Sequence, residues 1–222
     1  GLSEYNISLG KLRYNYNFDS SDYRDFFANT FYRRGISNST SLGANILYSK
    51  DIQNLGFMWT QAVSNLFLLD TTIQSSHDDN KGVNFSYGLS ASKDWNQFSI
   101  GFNTTYTERG FKFLGDDFGG DDGYPKFESL AYFGMSGVPV LQNVSLNYAE
   151  QKYYQNSDFG RGDQKILRVG FSRSIGTKTS LGLSYFNQSG DRRDSGGILS
   201  LSYNFDSKRT LYFNQSADQD TN

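Results

Sequence analysis

Apolar and polar residues alternate one by one along most of the chain, which is the period of β-strands with one face buried. The clearest case sets Phe98, Ile100, Phe102, Thr104 and Tyr106 on one face against Ser99, Gly101, Asn103 and Thr105 on the other. Val83, Phe85, Tyr87, Leu89 and Ala91 repeat the pattern against Asn84, Ser86, Gly88, Ser90 and Ser92, and Leu181, Leu183 and Tyr185 do so around Gly182 and Ser184. Leu42, Ala44, Ile46 and Tyr48 follow it less cleanly, because Leu47 interrupts the polar face. The pattern predicts about 12-13 strands. No helical period competes with it, so the expected fold class is all-β and antiparallel.

The occupants of the polar face narrow the class. A water-facing strand of a soluble sandwich usually mixes Lys, Glu and Arg among its Ser and Thr, whereas here that face is mostly Ser, Gly, Asn and Thr. Charges are expected between strands, at Lys50-Asp51, Asp78-Asp79, Lys93-Asp94, Asp191-Arg192-Arg193-Asp194 and Asp206-Ser207-Lys208-Arg209. A transmembrane β-barrel gives this distribution, with small polar groups lining its lumen and charge displaced to the membrane surfaces. Connections are expected to alternate in length. Asn17 to Asp25, Ser75 to Gly82, Glu108 to Lys126, Lys152 to Gln164 and Asn187 to Gly197 read as long and polar. Ile36 to Thr40, Val63 to Asn65, Lys93 to Asn96, Ile175 to Thr179 and Asp206 to Arg209 read as short, and Lys50 to Asn54 is short where the rule wants length. Trp95 and Phe98 flank one end of a strand and Tyr106 the other, as interfacial aromatic girdles would.

Composition agrees. Aromatics reach 17% with 16 Tyr and 19 Phe, while Pro is held to 2, a balance suited to strands. Mean hydropathy is −0.60, which alone suggests a soluble protein. In a barrel, lipid-facing and lumen-facing residues cancel in any such average. No run approaches the ~18 apolar residues of a spanning helix. Cys is absent, which removes disulfides, thiolate zinc sites and cysteine nucleophiles. A net charge of −2 without a basic face argues against nucleic-acid binding. No signal-peptide pattern follows Gly1, so any export signal is expected to be removed or to lie outside this sequence.

Candidate chemistry is sparse. The stretch Gly115 to Gly123 holds Asp116, Asp117, Asp121 and Asp122 among glycines, but it lacks the D-x-D-x-D-G spacing and distal Glu of a calcium loop. It reads as a solvated connection, and no metal site is assigned. Arg161-Gly162-Asp163 spells an adhesion tripeptide that short chance matches often produce. The N-x-[ST] matches at Asn6, Asn38, Asn84, Asn103, Asn143, Asn187 and Asn214 follow from an Asn/Ser-rich alternating chain. His77, the one histidine, is expected in a charged loop, and Glu4 and Glu108 near strand ends. No catalytic constellation forms, so the expectation is a non-enzyme without a cofactor. The residues expected to line a channel are Asn84, Ser86, Ser90, Ser99, Asn103, Thr105, Ser145 and Asn147.

GLSEYNISLGKLR, FYRRGISNSTSLGANILYSKDIQNLGF, GVNFSYGLSASKDW and TYTERGFKFL give the first half of the chain a resemblance to the fimbrial outer-membrane ushers of chaperone-usher pili. Gly1 to Arg13, GLSEYNISLGKLR, is similar to the strand with which ushers resume their barrel after the plug. Phe31 to Phe57, FYRRGISNSTSLGANILYSKDIQNLGF, is similar to the family's R-G-hydrophobic step into a [ST]-L-G strand start. GVNFSYGLSASKDW and TYTERGFKFL, ending at Leu114, resemble usher strands that lead into a Gly-aromatic loop. The second half resembles the family only in barrel style, and Ser129 to Tyr154 has no matching feature.

The resemblance implies that residues 1-222 are a partial usher-type pore domain in the bacterial outer membrane. Such a pore receives pilus subunits from a periplasmic chaperone, promotes their polymerisation by donor-strand complementation and passes the fibre to the cell surface. Its implied partners are those subunits, the chaperone, outer-membrane lipid, and the remaining barrel strands and plug. Two alternatives stand beside it: a complete smaller porin or solute channel, and a soluble adhesin-like β-sandwich. The end of the chain, Asn214 to Asn222, lacks the closing aromatic strand of a complete barrel, so the chain is expected not to close or fold alone.

Overall fold

A computed structural model of the protein describes residues 1–13, 23–79, 81–115, 124–137, 142–154, 162–206 and 209–220. Among these residues there are thirteen strands and no helix. The first seven are β1 (Ser3–Arg13), β2 (Tyr23–Gly35), β3 (Thr40–Ser49), β4 (Ile52–Val63), β5 (Phe67–Asp78), β6 (Gly82–Asp94) and β7 (Phe98–Thr107). The others are β8 (Phe127–Ser136), β9 (Asn143–Lys152), β10 (Gln164–Ile175), β11 (Thr179–Gly190), β12 (Asp194–Asn204) and β13 (Thr210–Asp220). They lie in sequence order in one open antiparallel sheet. A β-sandwich would divide them between two sheets.

The strands exist because nearly every stretch carries Tyr, Phe, Val, Ile or Thr on alternate positions, with Gly, Asn or Asp at the ends. Register then sorts the two sets. In β3 and β4, Ala44 pairs with Phe57, Ile46 with Leu55 and Tyr48 with Gln53, while Asn45 pairs with Gly56 and Leu47 with Asn54. A one-residue slip would exchange the faces, so the alternation itself fixes the pairing.

The chain forms two compact units. The first comprises Gly1–Ala91, Thr105–Lys126 and Tyr153–Gly160, and the second Ser92–Thr104, Phe127–Lys152 and Arg161–Asn222. In each, the apolar strand face is open. Leu55 is 57% exposed in the first unit and Leu183 53% in the second, and Ile7, Phe57, Tyr185 and Phe213 are similarly bare. The buried hydrophobic residues among those described are Leu47, Ile52 and Phe111, all in the first unit.

Several connections are shorter than the sequence suggests. Ser75 to Asp78 belongs to β5 and Asn187 to Gly190 to β11, so the connections narrow to Asp79–Lys81 and Asp191–Arg193. Tyr23 to Asp25 opens β2, and Ile52 to Asn54 opens β4, leaving only Lys50 and Asp51 between β3 and β4. Polar residues at these strand ends stay in the sheet because they remain paired through backbone bonds that take no account of side-chain polarity. His77 is therefore a strand residue, half-exposed and 3.8 Å from Asp79, and not a loop residue. Nor are charges confined to connections: Arg33, Asp70, Glu128, Glu150, Lys165 and Arg168 all lie within strands. Asp116 to Gly123 and Arg161 lie outside the described residues.

Candidate functional site: the polar face and a segment seated on it

In the first unit, register places Asn45, Leu47 and Ser49 of β3 beside Gly56, Asn54 and the start of β4, with Gln74, Ser76 and Asp78 of β5 opposite. This is the polar face, and at the β3 end and β4 start it is covered. Ser49, Ile52, Asn54, Ser76 and Asp78 are buried there, Ile52 completely. Ser49 closes the tight connection, its Oγ donating to the Ile52 carbonyl at 3.1 Å and accepting from the Ile52 N–H at 3.2 Å.

The cover is the segment that leaves β7. Glu108 anchors it to β6: its N–H donates to the Phe85 carbonyl at 2.8 Å, and its Oε2 accepts from the Phe85 N–H at 2.8 Å. Phe111 N–H then donates to the Glu108 carbonyl at 3.1 Å, closing a turn in which Gly110 has φ +94°. Positive φ at the third position of a turn calls for glycine. Here a Cβ would also stand 3.1 Å from Asn84 Nδ2.

The turn delivers Lys112 onto the polar face. Its carbonyl accepts from Asn54 Nδ2 and from Ser76 Oγ, each at 2.9 Å, and its N–H donates to Ser76 Oγ at 3.2 Å. Its ammonium lies 3.0 Å from Asp78 Oδ2, with Asp78 almost fully buried, and Asp78 Oδ1 accepts from the Lys81 N–H at 3.0 Å. Thus one residue is held by both backbone groups and by its charge. Phe111, Phe113 and Tyr124 continue the segment edge-to-face, at centroid distances of 4.9 and 5.0 Å.

Tyr154 braces the start of the same segment by donating to the Thr107 carbonyl at 2.8 Å, with Lys126 5.5 Å and Arg109 5.9 Å from its ring centre. Burial, and then the neighbouring Tyr106 hydroxyl, raise its phenol well above the ordinary tyrosine range. Elsewhere on this face Arg33 Nη2 donates to Thr60 Oγ1 at 2.9 Å, and Thr60 Oγ1 donates to Asp70 Oδ1 at 2.6 Å.

The second unit builds its polar face differently. Gly134 pairs with Ser145, Ser145 with Gly170, Gly170 with Ser184, and Gly182 with Ser200. The serine hydroxyls lie over the glycines: a Cβ at Gly134 would meet Ser99 Oγ at 2.5 Å, and one at Gly170 would meet Ser145 Oγ at 2.6 Å. Two rings on this face also cover glycines, Tyr132 over Gly101 and Phe186 over Gly196. Such aromatic cover compensates for the packing a strand glycine lacks. Among the described residues no other segment of this unit hydrogen-bonds to Ser145, Gly170, Ser184 or Ser200 except their own strand neighbours.

All eight residues expected to line a channel lie on polar strand faces. In the first unit these are Asn84, Ser86, Ser90 and Thr105. Ser86 is buried, with its Oγ 3.2 Å from Thr107 Oγ1, and Asn84 Nδ2 donates to the Lys81 carbonyl at 3.2 Å. In the second unit Ser99, Ser145 and Asn147 group around Gly134 and Tyr132, and Asn103 lies on the same face of β7 as Ser99. Missed in the sequence were Asn54, Ser76, Asp78 and Lys112. Their signals were Leu47, an apolar residue on a polar face, and Phe111-Lys112-Phe113, apolar residues in a connection.

No protein-family model matches the chain, and no curated protein matches it.

Proposed function

We propose that these strands belong to an outer-membrane β-barrel, with their apolar faces on lipid and their polar faces on a water-filled pore. One observation carries this reading: most of the large exposed hydrophobic side chains stand on one face of the strands while mainly small polar residues take the opposite face. In water such a surface would associate or aggregate, and in a bilayer it is the solvated side. The edge strands β1 and β13 need partners in lipid, because an unpaired strand edge is costly there. The segment from Glu108 to Leu114 then narrows the pore over part of its wall.

The activity we assign is the one the resemblance implies, an usher that receives chaperone-bound pilus subunits, promotes their polymerisation and translocates the fibre to the bacterial surface. A wall of Ser, Gly and Asn supports it, because such a wall offers hydrogen bonds without deep pockets to a folded subunit in transit. The smaller solute channel is the second reading, favoured by the seated segment, since a loop fixed on the pore wall suits a constriction.

Because the chain has no Cys, single-cysteine scanning is clean. In intact outer membranes, S90C, N103C and S145C should react with a membrane-impermeant thiol reagent, and L89C, I100C and L199C should not. Equal labelling of both sets would sink the pore. Deleting the gene separates the two activities: loss of surface fibres supports the usher, and intact fibres with reduced small-solute uptake support the channel.

A further inference from the structure

Among the described residues, the apolar face of the second unit carries a charged cluster on β9 and β10. Glu150 of β9 faces Lys165 of β10 in register, and Lys152 of β9 faces Phe127 of β8. Both ammoniums approach the same carboxylate oxygen, Glu150 Oε1, Lys152 at 3.3 Å and Lys165 at 3.7 Å. The other oxygen accepts from Tyr148 at 3.1 Å, and Lys152 also lies 5.6 Å from the Phe127 ring centre. The carboxylate is mostly covered, at 15% exposure, while the lysine side chains are about half open, at 48% and 53%.

Two cations on one carboxylate leave a surplus positive charge, and that surplus is on the exposed side. The cluster lies at the last residues of β9 and the first of β10. Along the same strand faces, Leu146, Leu167 and Val169 follow as exposed apolar residues. Lys165 to Val169 spans roughly 13 Å at strand rise. A surface that is cationic at one level and apolar below it complements an amphiphile with an anionic head. Glu150 acts as a positioning residue, since it brings two mutually repelling ammoniums to one place.

We infer that Lys152 and Lys165, gathered by Glu150, bind the phosphate of a lipid headgroup whose acyl chains lie along Leu146, Leu167 and Val169. This inference rests on the membrane reading above. Lysines at a membrane surface each contribute about 1 kcal/mol toward anionic lipid, so replacing the pair should weaken lipid retention by about thirtyfold.

The test uses the full chain in neutral maltoside micelles, doped in turn with bis-phosphorylated lipid A, phosphatidylglycerol, diacylglycerol or inorganic phosphate, with bound species counted by native mass spectrometry. The wild type should retain the phosphorylated lipids and neither diacylglycerol nor free phosphate. The near-isosteric E150Q/K152Q/K165Q variant, which leaves no unpaired charge, should lose that retention, whereas K50Q should keep it. Equal retention by wild type and triple variant overturns the site, as does equal retention of diacylglycerol. Binding of free phosphate without lipid overturns the lipid as occupant. Flotation with phospholipid vesicles is run in parallel. A chain that floats but shows no headgroup preference refutes this site alone, and a chain that does not float refutes the membrane reading with it.

Discussion

Ser76 in the first unit and Ser200 in the second occupy equivalent kinds of position, small hydroxyls on the polar face of an interior strand. Ser76 is buried and exchanges hydrogen bonds with Lys112, while Ser200 is half-open and its hydroxyl reaches only the Gly182 carbonyl of the next strand, at 3.4 Å. The strands are alike, and the difference comes from a segment outside them. Where the chain returns onto the polar face it creates an interior with a buried ion pair and three buried hydrophobic residues. Where it does not, the polar face is a wall held by backbone pairing and by hydroxyls and rings lying over glycines. A β-sheet face acquires a core only if something covers it.

The sharpest way to break this comparison is to place the same residue on both faces. S76R should destabilise the first unit by more than about 4 kcal/mol, because it drives an unpaired charge into a filled site. S200R should cost within about 1 kcal/mol, as its side chain can reach solvent. The two tryptophans serve as separate reporters, since Trp59 belongs to the first unit and Trp95 to the second. Urea unfolding in detergent, followed by fluorescence with one tryptophan at a time replaced by Phe, would read each unit. Equal costs would mean the wall of the second unit is as filled as that of the first.

A smaller effect tests the ion pair. D78N keeps an acceptor for the Lys81 N–H but leaves the Lys112 ammonium, only 16% exposed, without its charge partner. The expected loss is about 3 kcal/mol, and adding K112M should restore most of it. If the double variant is as unstable as D78N alone, the segment is not held by this pair. G110A addresses the turn that delivers Lys112, and at φ +94° it should cost about 1–2 kcal/mol on the Trp59 signal and nothing on that of Trp95. The smallest effect belongs to S184A, which should stay within about 0.5 kcal/mol on both.

Much of the fold was legible in the residues. The alternation of Val83 to Ala91 and of Phe98 to Tyr106 gives strands with the faces assigned as the structure has them. Errors gathered at strand ends, where Ser75 to Asp78 and Asn187 to Gly190 are polar yet remain in the sheet. Backbone pairing extends as far as the partner strand does, and composition does not register that limit. The eight polar-face residues were found by parity alone. The seated segment was not, because its partners Asn54, Ser76 and Asp78 are up to 58 residues from Lys112, and no periodicity encodes a contact between a connection and a distant strand end.

The sequence by itself therefore determined that the chain is all-β, where most strands run and which side chains share a face, because a strand's period of two is a local property of the backbone. Only the tertiary structure decided which stretch of polar face becomes buried, which aspartate receives Lys112 and which carboxylate gathers Lys152 and Lys165. Those outcomes depend on strand register and on the path of a connection, and both are settled by the total of many weak pairings and not by any one residue.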